Sequence, residues 1–312
     1  MGRVWIYAVS AAALLLAVLL AAAGVGEVPG ALSDWQALAL GITQGLTELL
    51  PISSSGHLIL VPWLADWHFL EENDAFNQTF DVALHLGTLA AVIAYFARDI
   101  GRLLRAFFGS IARRQISTPD ERIVWFIAVA TIPAAIAGAL AGDAIADHLG
   151  EPWQIAILLA FFAVLLWLAD RTPQRRTMSD LGLRHGLVMG IAQSVALMPG
   201  VSRSGITITA GRFMGLDRDS AARFSFLLLV PTVFGAALWT GVKDVLLGDL
   251  PPGWKGPFVV GILAAAGSGL LAIHWLLGYV RRHNYTVFVV YRLVIALVIV
   301  LLIVSGAYKA TF

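Results

Sequence analysis

Runs of about twenty apolar residues recur along this chain, at 77–97, 122–141, 153–169, 222–241, 257–280 and 287–305. That is the length an α-helix needs to cross the hydrocarbon core of a bilayer. Inside lipid every backbone N–H and C=O must find its partner within the protein, and a helix satisfies all of them within one segment. The composition agrees: 59% of the 312 residues are hydrophobic and only 13% charged, where soluble domains carry about 25% charged residues. The expected class is therefore an all-α polytopic membrane protein. A net charge of +1 gives no reason to expect nucleic acid as a partner, and the absence of cysteine removes disulfides, thiolate metal sites and cysteine nucleophiles. A further apolar run at 5–25, after Arg3, reads as a retained helix, since it exceeds the short core of a signal peptide.

Two other apolar stretches, 34–64 and 184–214, are broken in the middle by Pro51-Ile-Ser-Ser-Ser-Gly56 and Pro199-Gly-Val-Ser-Arg-Ser-Gly205. Their halves are too short to span and read as re-entrant hairpins, whose irregular backbone must be buried in protein or line a wet cavity. Loop charge sets the orientation. Residues 98–122 hold Arg98, Arg102, Arg105, Arg113, Arg114 and Arg122; 142–152 hold Asp143, Asp147 and Glu151 without Lys or Arg; 171–184 return Arg171, Arg175, Arg176 and Arg184; and Arg281-Arg282 separates the last two runs. With basic loops cytoplasmic and both hairpins returning to their own side, the six spans alternate correctly and the C-terminus lies outside. The chain also repeats: Gly41-Ile-Thr-Gln44 matches Gly190-Ile-Ala-Gln193, and Ser53, Ser55 and Gly56 match Ser202, Ser204 and Gly205, each displaced as Ser53 is from Ser202. Phe80 and Thr88 have rougher counterparts in Phe224 and Thr232. The organisation expected is an N-terminal helix and linker at 1–33, then units at 34–170 and 171–312, each one re-entrant helical hairpin plus three transmembrane helices. Three crossings are odd, so the repeat is of inverted topology, a design that brings broken helices together near the midplane.

Glu48 and Gln44 lie one turn apart on one helix face. A carboxylate at bilayer depth is costly unless a partner or water receives it, so Glu48 faces inward, as a catalytic group or as a structural hydrogen bond to the facing hairpin. Ser53, Ser54, Ser55, Gly56 and His57 sit where a second half-helix starts, and a helix N-terminus suits a phosphate; helix capping is the plainer role of such serines. Arg203, between Ser202 and Ser204 and ahead of Gly205 and Thr207, has a planar fork suited to phosphate oxygens, or to a salt bridge with Glu48. Asp81 and His85 share a face of the first long span, either as an orienting pair or as supporting residues around the site; Gln193, the counterpart of Gln44 in the second broken stretch, is a further supporting residue. Pro133 and Pro231 read as kinks.

In these same motifs, Gln44-Gly-Leu-Thr-Glu48, Leu50-Pro-Ile-Ser-Ser-Ser-Gly-His57 and Pro199-Gly-Val-Ser-Arg203-Ser-Gly-Ile-Thr207, together with Phe80-Asp-Val and His85-Leu-Gly-Thr, the chain resembles the bacterial undecaprenyl-diphosphate phosphatases known for bacitracin resistance. The resemblance runs from about residue 34 to the C-terminus. It implies hydrolysis of a polyprenyl diphosphate carrier to its monophosphate, in the bacterial inner membrane, at a site opening to the periplasm, with a divalent cation (magnesium or calcium) near Glu48 and Gln44. Glu48, His57 and Arg203 match the family's catalytic residues, and Ser54 a candidate nucleophile; phosphoserine, phosphohistidine and direct water attack all stay open. Gln44 stands where many members have Glu. The expected partners are the lipid substrate, membrane lipid and a second copy of the chain as a homodimer. A transporter or flippase of the carrier is the alternative reading. The phosphatidic-acid phosphatase pattern fails, because no histidine follows Arg203 at the required spacing.

Overall fold

The computed structural model describes residues 4–24, 31–67, 74–241 and 253–311; residues 25–30 of the expected linker lie outside them. Among the described residues there are twelve α-helices and no strand beyond an isolated bridge. They are α1 (Val4–Ala23), α2 (Asp34–Leu49), α3 (Ser54–Ala65), α4 (Asp74–Tyr95), α5 (Ala97–Arg113), α6 (Pro119–His148), α7 (Pro152–Asp170), α8 (Leu183–Val195), α9 (Arg203–Phe213), α10 (Arg218–Thr240), α11 (Lys255–Val280) and α12 (Thr286–Val304). Helices α1, α6, α7, α10, α11 and α12 are long and apolar enough to cross a membrane, so the chain is a polytopic α-helical membrane protein. Pro133 and Pro231 lie inside α6 and α10.

Two expected loops are largely helical. The segment after residue 97 is α5, which meets α4 at an 85° bend. Its arginines alternate with Ile100, Leu103, Leu104, Phe107, Phe108 and Ile111 at helical spacing, so an amphipathic helix competes successfully with a loop. It ends with Arg113 paired to Glu121, the residue that also closes the Thr118 capping box at the start of α6. On the other side, α6 continues past residue 142 to His148, because nothing before Gly150 (φ +138°) and Pro152 obliges it to stop.

Small residues decide which helices touch. Where lipid is as apolar as leucine, helices associate where backbones approach closely. Gly41 and Gly45 of α2 lie against Gly261, Ala264, Ala265 and Ser268 of α11, and Gly87 of α4 meets Ile262 and Ala265 on the same helix. The N-terminal α1 lies along α11 as well, at Gly267. On the other half, Gly186 and Gly190 of α8 press on Phe126 and Ala130 of α6. Helices α7 and α12 pair, as do α4 and α10. A Cβ at Gly45 would overlap the Ser268 hydroxyl and stand 2.5 Å from the Ala265 carbonyl. The gain in helix propensity on Gly→Ala is about 1 kcal/mol, whereas overpacking costs about 1–3 kcal/mol, and the backbone at Ala265 cannot turn aside. Gly45→Ala therefore lowers the melting temperature of the detergent-solubilised protein. An unchanged or raised melting temperature would show that α2 and α11 do not pack this closely.

Candidate active site

The two breaks have local causes. Pro51 cannot continue α2 and holds Leu50 extended (φ −75°, ψ 143°); on the other side α8 ends four residues before Pro199. Each break then closes on a serine N-cap in the same unusual backbone state: Ser53 at φ 75°, ψ 93° and Ser202 at φ 75°, ψ 112°. A non-glycine residue there costs about 1–3 kcal/mol, and such strain concentrates at functional sites. Each hydroxyl accepts from the amide three residues ahead, Ser53 Oγ from Gly56 N at 3.3 Å and Ser202 Oγ from Gly205 N at 3.1 Å. Ser55 and Ser204 stand beside their capping serines at 3.4 and 3.2 Å.

The breaks bond to each other. Gly200 N donates to Ser53 Oγ (3.1 Å), and the Ser204 hydroxyl donates to Leu50 O (2.9 Å). The N-termini of α3 and α9 thus converge, bringing together amides without intrahelical acceptors and two positive dipole ends.

Between them lies Glu48, 5% exposed. Its Oε1 receives Arg203 Nη2 at 2.7 Å, across 155 residues of sequence. Its Oε2 receives the Ser54 hydroxyl, Gln44 Nε2 at 3.2 Å and His85 Nε2 at 3.4 Å. Asp81 acts here through its carbonyl, which His85 Nδ1 meets at 2.7 Å. Both ring nitrogens of His85 therefore face acceptor oxygens, an arrangement an imidazolium satisfies with two donors. Arg203 is steadied from behind by Ser225: Nη1 donates to its carbonyl (3.1 Å), and the Thr207 hydroxyl lies 2.7 Å from both Ser225 Oγ and Arg203 O.

His57 points elsewhere. Its Nδ1 lies 2.6 Å from Ser53 O, which places a proton there and leaves Nε2 to accept from Tyr291 Oη at 2.7 Å. The two rings are stacked. Tyr291 is 38% exposed and links this buried cluster to the outer surface of the bundle between α3 and α12. Gln193 bonds Thr232 of α10 (3.1 Å) and takes no place in the donor set of Glu48.

Of the residues singled out in the sequence, Gln44, Glu48, Ser54, His85 and Arg203 form one cluster, and Ser53, Ser55, Gly56, Ser202, Ser204 and Gly205 build the two turns around it. Three contributors were not singled out: Ser225, Tyr291 and Arg292. The signal for Arg292 was present, as a lone charge inside the apolar run 287–305, and an ionisable residue at membrane depth marks a site by default. Its guanidinium is 1% exposed and meets no carboxylate among the described residues; it donates to Pro51 O (3.4 Å), Gly200 O (2.9 Å) and Val201 O (3.1 Å) of the two breaks and to Leu159 O (3.1 Å) and Leu158 O (3.5 Å) of α7. A Cβ at Gly205 would stand 3.0 Å from both Arg292 Nη1 and Ser202 Cβ, so the position is tight for any larger residue.

Among the described residues no three His, Cys, Asp or Glu side chains converge as a metal site. Within the Glu48 cluster one hard oxygen is free, however: Gln44 Oε1 is buried and accepts no hydrogen bond. A carboxylate beside an unused amide oxygen is a donor set that fits a divalent cation of the magnesium or calcium type, with water and ligand oxygens completing its shell.

Fold and site together define a polytopic α-helical membrane protein that holds a serine-rich acid–guanidinium centre where two broken helices meet inside the bundle. Within that class the profile of the bacitracin resistance protein BacA family matches residues 37–298, and the chain belongs to that family. It is 48% identical over 282 residues to an undecaprenyl-diphosphatase of Thermomicrobium roseum, covering 88% of this chain and 99% of the relative. It is also similar to the undecaprenyl-diphosphatases of Moorella thermoacetica (46% over 266 residues, 85% and 96% covered) and Mycobacterium ulcerans (41% over 284 residues, 90% and 100% covered).

Proposed function

We propose that this protein is an undecaprenyl-diphosphatase, hydrolysing undecaprenyl diphosphate to the monophosphate and inorganic phosphate. The reaction returns the lipid carrier to peptidoglycan synthesis and confers bacitracin resistance. The observation that carries the reading is the Ser54–Glu48–Arg203 cluster at two convergent helix N-termini. A hydroxyl on a carboxylate that other groups hold in place is the arrangement of an activated nucleophile; a carrier that only moved the lipid has no use for it.

The diphosphate competes with Glu48 for Arg203, whose fork and the amides at the starts of α3 and α9 take its oxygens and stabilise charge on the transferring phosphoryl group. Freed from Arg203, Glu48 keeps its bond to Ser54. It accepts the Ser54 proton as Oγ attacks the terminal phosphorus, and the bond to the bridging oxygen breaks to release the prenyl monophosphate. Glu48 passes that proton to the departing monophosphate; the carboxylate, free again, deprotonates the water that attacks the phosphoserine and returns the proton to Ser54 Oγ as inorganic phosphate leaves. His85 and Gln44 fix the carboxylate, and His57, held by Tyr291, holds the Ser53 turn from which Ser54 projects. Gln44 and Glu48 would hold a divalent cation, which when bound supplies positive charge against the diphosphate oxygens. The lipid enters sideways past Tyr291.

The same reading includes an inverted repeat of 34–170 and 171–312. Exchanging counterparts preserves the packing: α2 on α11 becomes α8 on α6, with Gly41 against Gly261 answered by Gly190 against Ala130. The pairs α7–α12 and α4–α10 map onto themselves, and the two serine caps share one backbone state. The basic loops face the cytoplasm of a bacterial inner membrane, the first hairpin enters from the periplasm, and the protein functions as a monomer or homodimer.

The test is phosphate release from undecaprenyl diphosphate by the purified protein, with and without chelator, beside Ser54→Ala. The expected result is chelator-sensitive release, lowered roughly 10³-fold in the variant. Ser54→Ala within tenfold of wild type would transfer the attack to water; release that ignores chelator would remove the cation from Gln44 and Glu48.

A further inference from the structure

Away from Glu48 and Arg203, a cavity of about 300 Å³ opens where α7 ends and α10 and α12 begin, lined by Trp167, Asp170, Arg171, Arg218, Asn284 and Thr286. Its one carboxylate is already occupied. Asp170 receives Arg218 at 2.6 and 3.2 Å and the Tyr285 amide at 2.9 Å, with Arg212 Nε at 3.4 Å. The neighbouring acid, Asp219, is likewise shared between Arg223 (2.7 Å) and Arg281 (2.9 Å). With Asp217, the N-cap of α10, three carboxylates stand among the four guanidinium groups of Arg212, Arg218, Arg223 and Arg281, so one positive charge is left over before Arg171 is counted. Arg171 pairs with no carboxylate among the described residues; its guanidinium lies 3.3 Å from the centroid of the Trp167 ring. A guanidinium stacked this way keeps its N–H donors in its own plane, clear of the indole and available to a planar or tetrahedral oxyanion. The positive end of α12 reinforces it, whereas that of α10 is already met by its N-cap Asp217.

The position selects the kind of anion. The cavity lies at the ends of three membrane spans, α7, α10 and α12, beside the basic segment 171–184, and Trp167 sits in the last turn of α7, the end of a span at which tryptophan is enriched. From it the exposed Phe161, Val164 and Leu168 of α7 and Val287, Val290 and Val294 of α12 continue into the bilayer, a surface suited to acyl chains. We propose that this cavity binds the phosphate headgroup of an anionic membrane lipid through Arg171 and Arg218, at a site separate from the catalytic centre and on the face of the basic loops. The lipid's chains lie along α7 and α12.

Native mass spectrometry of the full-length detergent-solubilised protein tests this by titration with phosphatidylglycerol, with phosphatidylcholine, and with phosphatidylglycerol in the presence of inorganic phosphate. Wild type should retain phosphatidylglycerol about tenfold more tightly than phosphatidylcholine, the scale of one charge-assisted bidentate contact. Arg171→Ala should erase that preference and Arg171→Lys restore part of it, with melting temperature and phosphate release unchanged in both, because Arg171 is exposed and remote from Ser54. Millimolar inorganic phosphate should not displace the lipid. Equal retention of the two lipids by wild type, an Arg171→Ala variant that keeps its preference, or displacement of the lipid by phosphate alone would each overturn the proposal. The readout is binding, so failure here leaves the phosphatase reading standing, and failure of that reading leaves this one.

Discussion

Glu48→Gln lowers kcat/KM for undecaprenyl diphosphate by about 10²- to 10⁴-fold, the range for losing a positioned general base. The substitution keeps the shape of the side chain but not its ability to take the Ser54 proton. It also exchanges a carboxylate that receives Arg203, Ser54, Gln44 and His85 for an amide whose NH₂ faces donors. Breaking one side of a buried ion pair costs about 3–5 kcal/mol. Arg203 is 12% exposed, so water relieves part of that, and the variant should remain folded with a lower melting temperature. The decisive comparison is a cycle with Arg203→Ala. Residues that work as one unit lose little more when the second is removed, so the double variant should resemble either single one. Additive losses would mean that Glu48 and Arg203 act in separate steps, and retention of activity within tenfold in Glu48→Gln would dismiss it as the base.

Arg292→Met is expected to cost at least about 100-fold in kcat/KM although Arg292 touches neither Ser54 nor Glu48. Methionine follows a similar path through the core but donates nothing. Leu158 and Leu159 keep their helical partners, whereas the carbonyls of Pro51, Gly200 and Val201 lose a donor, at about 1–3 kcal/mol for each one left unsatisfied. Removing a buried guanidinium recovers some desolvation energy, so the net stability change is smaller than that sum and melting temperature is the weaker readout. Geometry is the stronger one. The two breaks are held at mutual distances set by this side chain, and a displacement of about 1 Å at a catalytic centre costs about 10²-fold. Arg292→Lys should restore little, because a single ammonium cannot reach carbonyls on both breaks and α7 together. If Arg292→Met turns over substrate as wild type does, the breaks hold their positions without it.

Much of the site was legible in the sequence because its signals are local. A carboxylate at Glu48 or a guanidinium at Arg203 within apolar surroundings needs a partner wherever the chain goes. Pro51 stops α2 through its own missing N–H, and serine before a helix start caps it in any fold. The matching of Ser53-Ser-Ser-Gly56 with Ser202-Arg-Ser-Gly205 was visible by inspection, and their bonds to each other follow from burying two interrupted helices in a medium without water. Even the Glu48–Arg203 contact was among the readings the residues allowed.

Other features could not be read locally. The helix at 97–113 was hidden by its charge, because arginines that mark a cytoplasmic segment also form the polar face of an amphipathic helix. The partner of His57 is Tyr291, 234 residues away, and no spacing predicts such a contact. The sequence alone determined that this chain lies in a membrane as helices, that two of its stretches break at Pro/Ser/Gly clusters, and which charged groups had to turn inward; these follow from hydrophobicity and backbone chemistry over a few residues. Tertiary structure alone decided that α11 receives α2, that Ser54 rather than His57 sits on Glu48, and that Arg292 ties both breaks to α7. Those outcomes depend on how closely glycine-lined helices approach and on which distant donors the packed bundle brings within hydrogen-bonding distance of a buried oxygen.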